Sequence, residues 1–175
     1  MKITSVIQKL KHNIKIRKLR RKGVKIGNNC YILTNFKTSF SSEPYLIEIG
    51  DNVLISAHCF LCPHDGATWV VNNLKHTKVD KIGAIKIGNN VYVGYGTTIF
   101  GNVTIGDNVI IGANSVVTKD VPDNSVVAGT PAKVICSLEE YIKKNSDKFE
   151  ETFFMGSKDK KFFYLRKYAD KKDRE

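Results

Sequence analysis

The stretch IGNNVYVGYGTTIFGNVTIGDNVIIGANSVVTKDVP, residues 87–122, repeats a pattern every six residues. Each of its blocks begins with Ile or Val, and the fifth place holds a compact, mostly β-branched residue. Asn or Gly stands in the fourth place of nearly every block, where a tight bend needs a residue that tolerates a positive φ. A period of six fits neither an α-helix nor simple strand alternation, but it is typical of short β segments joined by bends.

Three such blocks close one coil of an all-β solenoid, in which the first-place residues stack inside as ladders of Ile and Val. The pattern also occurs earlier in the chain, with breaks, as IGNNCY from Ile26 and as IGDNVLISAHCFLCPH from Ile49. Between Cys62 and Ile87 the regularity lapses, as in a segment that leaves the solenoid and rejoins it. The sequence therefore predicts a solenoid over residues 26–136 with an excursion loop at residues 65–86.

Residues 1–25 form a basic N-terminal arm. The 175-residue chain has a formal charge of +11, and ten of its 28 basic residues lie in this arm, which contains no acidic residue. Apolar residues recur in the arm close to helical spacing, at Ile3, Val6, Ile7, Leu10, Ile14 and Leu19. The arm is predicted to be a helix that packs on the solenoid or lies against an anionic membrane surface. Nucleic-acid binding is disfavoured because no recognition module or set of interleaved aromatic residues accompanies the charge.

Residues 137–175 are predicted to form a helical extension. The segment SLEEYIKKN, from Ser137, has a capping serine, early acidic residues and late lysines. The following segment alternates charges with aromatic pairs and is interpreted as cover for the open end of the solenoid or for a neighbouring chain. No apolar run approaches the roughly 20 residues of a membrane-spanning helix, and the N-terminus lacks the features of a signal peptide. These properties favour a cytoplasmic protein.

The segment AHCFLCPHDG, residues 57–66, places Cys59 and Cys62 at a spacing found in metal and redox sites. The six-residue register argues against both kinds of site. Cys59 takes the fifth place of its block, as does Cys30 in IGNNCY, where a small hydrophobic residue is expected. Cys62 takes the second place, so the two sulfur atoms occupy different positions in the coil. The cysteines are therefore predicted to be structural.

The histidines of the same segment both take the fourth place of their blocks, at corners of the coil. A regular block continues after His58, which is a candidate for a structural role or for a substrate contact. His64 stands where the coil stops and the excursion begins. An imidazole at the mouth of a cleft can act as a general base towards a bound substrate.

These blocks, together with the histidine, the excursion and the ending GTPAKVI, resemble the hexapeptide-repeat acyltransferases over residues 26–136. The similarity includes galactoside, maltose and xenobiotic acetyltransferases. In the HDGATWV stretch it is greatest with acetyltransferases of capsular and cell-surface polysaccharide synthesis. The resemblance implies a left-handed parallel β-helix, a homotrimer, and acetyl-CoA bound between neighbouring subunits.

The resemblance also implies roles for individual residues. His64 matches the histidine that removes a proton from the acceptor hydroxyl, which then attacks the acetyl thioester directly. The residues implied in coenzyme binding are Tyr95, Ala113, Thr118, Lys119 and Lys133. At Tyr95 the better-known sugar acetyltransferases have a small residue. Asp65, Trp69 and His58 are candidates for contact with the acceptor, although Trp69 could equally anchor the loop.

Several alternatives remain open at the level of sequence. The acceptor group could be the hydroxyl of a cell-surface glycan or the amine of an amino sugar. The chain could also be a non-catalytic solenoid scaffold. Such a scaffold would not need the histidine, the loop and the lysines together, so this alternative is disfavoured. A zinc-dependent carbonic anhydrase needs three histidines at matched heights, whereas His58 and His64 lie one block apart and His76 lies in the loop. We therefore expect no metal site.

Overall fold

The six-residue blocks fold into short strands. In a computed structural model that describes residues 3–35 and 37–172, these strands follow a helix, α1 (Ile3–Arg21). In chain order they are β1 (Lys25–Ile26), β2 (Tyr31–Ile32), β3 (Ile47–Ile49), β4 (Leu54–Ile55), β5 (Phe60–Cys62), β6 (Ile85–Ile87), β7 (Tyr92–Val93), β8 (Thr98–Phe100), β9 (Val103–Ile105), β10 (Ile110–Ile111), β11 (Val116–Val117), β12 (Ser125–Gly129) and β13 (Ala132–Ser137). A helix, α2 (Thr68–Lys75), lies between β5 and β6. The chain divides into two compact units, Met1–Tyr141 and Ile142–Glu175, and these strands belong to the first.

The strands lie in three sheets that the chain visits in rotation. The first sheet has the order β1-β3-β6-β9, the second β2-β4-β7-β10-β12-β13, and the third β5-β8-β11. Neighbouring strands run parallel, except for the antiparallel pair β12 and β13. Each strand thus pairs with the equivalent strand of the next coil, which is the connectivity that the repeat predicts.

The register of the sheets follows the six-residue pattern. Ile49 pairs with Ile87, and Ile87 pairs with Ile105, so first-place residues lie directly above one another. The first-place residues of the regular blocks are Ile87, Val93, Ile99, Ile105, Ile111 and Val117, and all of them are buried in the core. Burial of these residues confirms the predicted interior ladders, and it contributes to the hydrophobic stabilisation of the unit.

Asparagines line the corner between the first and second sheets. Asn29, Asn52, Asn90, Asn108 and Asn124 all have a positive φ, between 50° and 57°. Their side chains also connect the coils, because the amide of Asn90 donates to Asn108 at 2.8 Å and that of Asn108 donates to Asn124 at 3.0 Å. The fourth-place Asn therefore has two uses, since it tolerates the left-handed conformation and satisfies polar groups at the bend.

Gly94 lies at a buried corner where two coils meet. A Cβ atom at this position would lie 2.5 Å from the Ala113 nitrogen and 2.7 Å from the Ile111 carbonyl oxygen. Both are backbone atoms, so the next coil would have to shift. We expect Gly94→Ala to lower the free energy of unfolding by about 1–3 kcal/mol in urea denaturation. Gly66→Ala is the control, because nothing lies within 4 Å of its Cβ position; equal losses in the two variants would contradict the packing argument.

Helix α1 packs on the strands through its C-terminal half. Leu19 is fully buried, Ile16 packs against the core, and His12 Nε2 lies 2.8 Å from the carbonyl oxygen of Cys30. Leu10 and Ile14 stay exposed. These contacts favour the first of the two predicted arrangements for this half of the arm. The predicted stripe positions Ile3, Val6 and Ile7 lie outside the described side chains. None of the described helices has the length and apolarity needed to cross a membrane.

Helix α3 (Leu138–Asn145) begins at the cap that the sequence predicts. Ser137 Oγ accepts the Glu140 N–H at 3.1 Å, and the Glu140 carboxylate accepts the Ser137 N–H at 2.8 Å. The second unit continues through a short 3₁₀ turn, Ser146–Lys148, to helix α4 (Ser157–Lys172). Within this unit the buried Thr152 hydrogen bonds to the hydroxyl of Tyr164.

Candidate active site

The excursion leaves and rejoins the coils at one corner, directly after strand β5. The Gly83 N–H donates to the Pro63 carbonyl at 2.8 Å, and the Asp65 N–H donates to the Lys81 carbonyl at 2.8 Å. Between these bonds, His64 forms a single antiparallel bridge with Ile82. The stem of the excursion is therefore a closed, hydrogen-bonded neck, and His64 is held in that neck.

The imidazole of His64 is hydrogen-bonded to a carboxylate. His64 Nδ1 lies 3.1 Å from Glu43 Oε1, and the two side chains are 28% and 12% exposed. Glu43 comes from the segment before β3, and its other oxygen accepts a hydrogen bond from Ser42 Oγ at 2.7 Å. A carboxylate can only accept, so Nδ1 carries the proton of the neutral ring. The lone pair then resides on Nε2.

The surroundings of His64 favour its protonated form. The hydrogen bond with Glu43 raises the pKa of His64, and the negative charges of Glu43, Asp80 and Asp65 act in the same direction against partial burial. Asp80 Oδ1 lies 3.7 Å from Nε2, beyond hydrogen-bond distance. The Ser42 hydroxyl is the main cause that lowers the pKa of Glu43, so this carboxyl stays ionised. Nε2 can therefore take up a proton and hold it as an imidazolium.

A cleft of about 220 Å³ adjoins this neck and contains Asp65 and Thr118 in its lining, together with Phe100. The Asp65 carboxylate accepts from Lys81 Nζ at 2.7 Å and from the Ala67 N–H at 3.0 Å. The Lys81 hydrogen bond is the largest cause that lowers the pKa of Asp65. Asp65 thus lines the cleft, and its carboxylate also stabilises the stem of the excursion through these two hydrogen bonds.

A second corner, between strands β4 and β5 and their counterparts, carries other predicted residues. The rings of His58 and Tyr95 lie 5.0 Å apart at 50°, and the Asn114 N–H donates to the Tyr95 carbonyl at 2.7 Å. Ala113 occupies the same column one coil further on. Its N–H donates to no acceptor among residues 3–35 and 37–172. An exposed N–H of this kind can bind an amide carbonyl of a ligand.

The other predicted residues lie farther out. Lys119 follows Thr118 after β11 and Lys133 lies on β13; both are exposed, and neither side chain has a hydrogen-bond or ion-pair partner within the described part of the chain. Trp69 lies on α2, is 74% exposed, and does not line the cleft. The structure therefore gathers His64, Asp65 and Thr118 at one corner, whereas it leaves Trp69 apart.

Two of the cysteines lie where the register places them, inside the coils. Cys30 and Cys59 are buried in the core, and burial raises the pKa of both thiols. Cys62 Sγ donates to the His64 carbonyl at 2.9 Å. Among the residues that the structure describes, no three His, Cys, Asp or Glu side chains are grouped so that they could hold a metal ion.

Comparison with known proteins agrees with the repeat. Residues 84–119 match the family model described as bacterial transferase hexapeptide (six repeats). Protein CapG of Staphylococcus aureus is 42% identical over 161 residues, which cover 92% of this chain and 93% of CapG. The chain belongs to the hexapeptide-repeat transferases.

Solved structures of the family extend the comparison. The maltose O-acetyltransferase from Clostridium difficile 630 has a TM-score of 0.57 and 36% identity, over 66% of this chain and 59% of that one. The hexapeptide-repeat acetyltransferase VCA0836 of Vibrio cholerae, complexed with acetyl-CoA, has a TM-score of 0.53 and 29% identity, over 67% and 61%. The chain thus spans about three fifths of these two structures. It is an acyltransferase of the acetyl-CoA-dependent class.

Sequence reasoning missed two acidic residues of this transferase, Glu43 and Asp80. Glu43 lies in SSEPYL, which has no six-residue register, and Asp80 lies inside the excursion. A signal for Glu43 was present, since it is an isolated acidic residue directly before a proline, just ahead of the next coil. Its pairing with His64 depends on how the coils stack.

Proposed function

We propose that this transferase moves an acetyl group from acetyl-CoA to a hydroxyl of a sugar in cell-surface polysaccharide biosynthesis, with His64 as the general base. The single observation that carries the proposal is the hydrogen bond between His64 Nδ1 and the Glu43 carboxylate, 3.1 Å long. That bond fixes the tautomer and leaves Nε2 as the basic atom. It also favours the imidazolium that forms when a hydroxyl gives up its proton.

The proposed reaction needs only this one base, because the proton that Nε2 takes from the acceptor is later returned to the leaving sulfur. The acceptor O–H gives its proton to Nε2 of His64 as its oxygen attacks the thioester carbonyl. The carbon–sulfur bond of the tetrahedral species then breaks, and the sulfur leaves with the proton that Nε2 returns. Glu43 stabilises the imidazolium and stays ionised throughout, because its pKa is already lowered by Ser42 and His64.

For the coenzyme we propose the corner column and the exposed lysines. The unpaired N–H of Ala113 is suited to a pantetheine carbonyl, and Tyr95 stands one coil below it. Thr118 and Lys119 follow β11, and Thr118 lines the cleft at the His64 corner. Lys119 and Lys133 are cations with no described partner, and the phosphates of CoA need cations nearby.

For the acceptor we propose contacts with Asp65, His58 and Trp69. Asp65 is best supported, because it lines the cleft beside His64. His58 has its ring against Tyr95, so it would act at the coenzyme side of the acceptor. Trp69 is exposed on α2 and could stack on a sugar only if the helix faces bound substrate, for example across a subunit boundary.

The assembly that we propose is a homotrimer of left-handed parallel β-helices with active sites between subunits. Large apolar side chains are exposed in the single chain, and such side chains support an interface between chains. They are found on the outer faces of the coils and include Tyr31, Leu33, Phe60, Tyr92, Val134 and Ile135. We propose that the enzyme works in the cytoplasm, where acetyl-CoA is available. The basic arm 1–25 could hold it at the inner face of the membrane.

The proposal is tested by following CoA release from acetyl-CoA with a panel of neutral sugars, sugar phosphates and amino sugars. We expect release that depends on the acceptor, with an alkali-labile acetyl ester in the product. An amide product formed only with amino sugars would replace the hydroxyl by an amine as the acceptor group. Absence of acceptor-dependent release across the panel and across purified glycan fractions would count against catalysis.

A further inference from the structure

A cavity of about 810 Å³ lies between helix α1 and the first coils. Lys15 and Lys18 line it from the helix, and Thr34, Ser39 and His58 line it from the coils. The described lining residues include no carboxylate. The cavity is therefore a concave, positively charged site at the end of the coils that carries the basic arm.

Lys15 is the central cation of this cavity. Its ammonium group donates hydrogen bonds to the backbone carbonyls of Ile32 and Thr34, and it lies half-buried. No described carboxylate lies within ion-pair distance of it. Burial without a counter-ion lowers the pKa of Lys15. An ammonium has three donors, so one N–H of Lys15 remains for a ligand, and an anion would offset the cost of burying the charge.

The cavity wall is joined to the catalytic corner by a short segment. Thr34 Oγ1 lies 2.8 Å from Ser39 Oγ and donates to the Cys59 carbonyl at 2.8 Å, which fixes the wall to β5. Four residues later the same segment reaches Glu43, which holds His64. Four extended residues span at most about 14 Å, so Ser39 at the cavity wall lies no farther than that from Glu43, which contacts the base.

We propose that this cavity binds a phosphate group of the acceptor, with Lys15 and Lys18 as its cationic contacts. A phosphate monoester carries nearly two negative charges at neutral pH, and the Lys15 ammonium has no described carboxylate partner, while the Lys18 side chain lines the same wall of the cavity. The CoA phosphates are assigned above to Lys119 and Lys133. Lys119 follows β11, two strands from β5, and Lys133 lies on β13, four strands from β4, so they are roughly 10 Å and 20 Å away at the spacing of neighbouring strands. The inference rests on the proposed function for the identity of the ligand as the acceptor, whereas the anion site itself does not depend on catalysis.

The site is tested first by binding. Isothermal titration calorimetry with inorganic pyrophosphate should show that Lys15→Gln and Lys18→Gln each raise Kd by about tenfold or more, as expected for lost charge-assisted hydrogen bonds. Arg17→Gln is the matched control, because it removes one charge from an exposed position of the same helix outside the cavity, and it should change Kd by less than about twofold. Since Lys15 also fastens α1 to the coils, melting temperatures are compared, and Lys18→Gln keeps the test decisive if Lys15→Gln unfolds. Equal Kd values for Lys18→Gln, Arg17→Gln and the unaltered chain would overturn the proposal.

A second measurement separates the acceptor from the coenzyme. We expect Lys18→Gln to raise KM for sugar 1-phosphates or nucleotide sugars and to leave KM for acetyl-CoA and for neutral glycosides nearly unchanged. A response to nucleotide sugars alone would identify the diphosphate form as the ligand. A rise in KM for acetyl-CoA, or weaker binding of adenosine 3′,5′-bisphosphate, would assign the cavity to the coenzyme and overturn the proposal. If the chain transfers no acetyl group yet binds pyrophosphate through Lys15 and Lys18, the proposed function fails while the anion site stands.

Discussion

His64→Ala is expected to lower kcat/KM for acetyl transfer by about 10²- to 10⁴-fold, the range that a positioned general base contributes. Nε2 of His64 carries the lone pair, and the described residues that line the adjoining cleft include no other histidine. Alanine leaves the acceptor hydroxyl without a base, and a water molecule would take its proton far less readily. The initial rate of CoA release with a saturating acceptor measures the loss.

The histidine at position 76 provides the matched control. His76 is exposed at the end of α2 and has a positive φ of 52°, so His76→Ala removes an imidazole from the same excursion without touching the neck. It should retain activity within about a few-fold, because solvated surface positions contribute little. Circular dichroism and the melting temperature establish that both variants are folded. Equal rates for His64→Ala and the unaltered chain would remove His64 from the mechanism.

Much of the fold could be predicted because the six-residue repeat assigns each residue either to the interior, to the outer face or to a bend of the coil. Val93 and Ile111 had to point inward by register, and both are buried completely. Asn90 and Asn108 had to sit at a bend, and both adopt a positive φ. Cys59 and Cys62 have the spacing of a metal or redox pair, but the register predicts that Cys59 lies in the core, where it is buried.

The residues that escaped prediction lie where the register is absent. Glu43 and His64 are 21 positions apart in sequence, and they meet because one coil stacks on the previous one. The helix α2 interrupts the excursion with apolar residues, Trp69 and Leu74 among them, that point to solvent in the single chain. Such placements depend on the path of irregular backbone between coils, which local propensity does not determine.

Glu43→Gln is expected to move the acid limb of the pH profile of kcat/KM to lower pH and to lower its plateau by about 10- to 100-fold. The Glu43 carboxylate is the largest influence that raises the pKa of His64, so a neutral amide lets that pKa fall. His64 then loses its proton at a lower pH, which shifts the limb downward. The plateau falls because the weaker base is also less well oriented and its imidazolium is no longer stabilised. Initial rates between about pH 5 and 9 measure both effects, because an ordinary histidine titrates at about pH 6.5, inside that range.

The shift of the limb separates a positioning role for Glu43 from a merely structural one. A variant that only loosened the segment before β3 would lower the rate at every pH and leave the limb in place. Glu48→Gln provides the control, because Glu48 lies on β3 and pairs with Lys25 rather than with His64, although its pKa is also lowered. Glu43→Asp keeps the charge, so it should hold the limb nearer its original position even where the plateau drops. An unmoved limb in Glu43→Gln would mean that His64 does not depend on this carboxylate for its basicity.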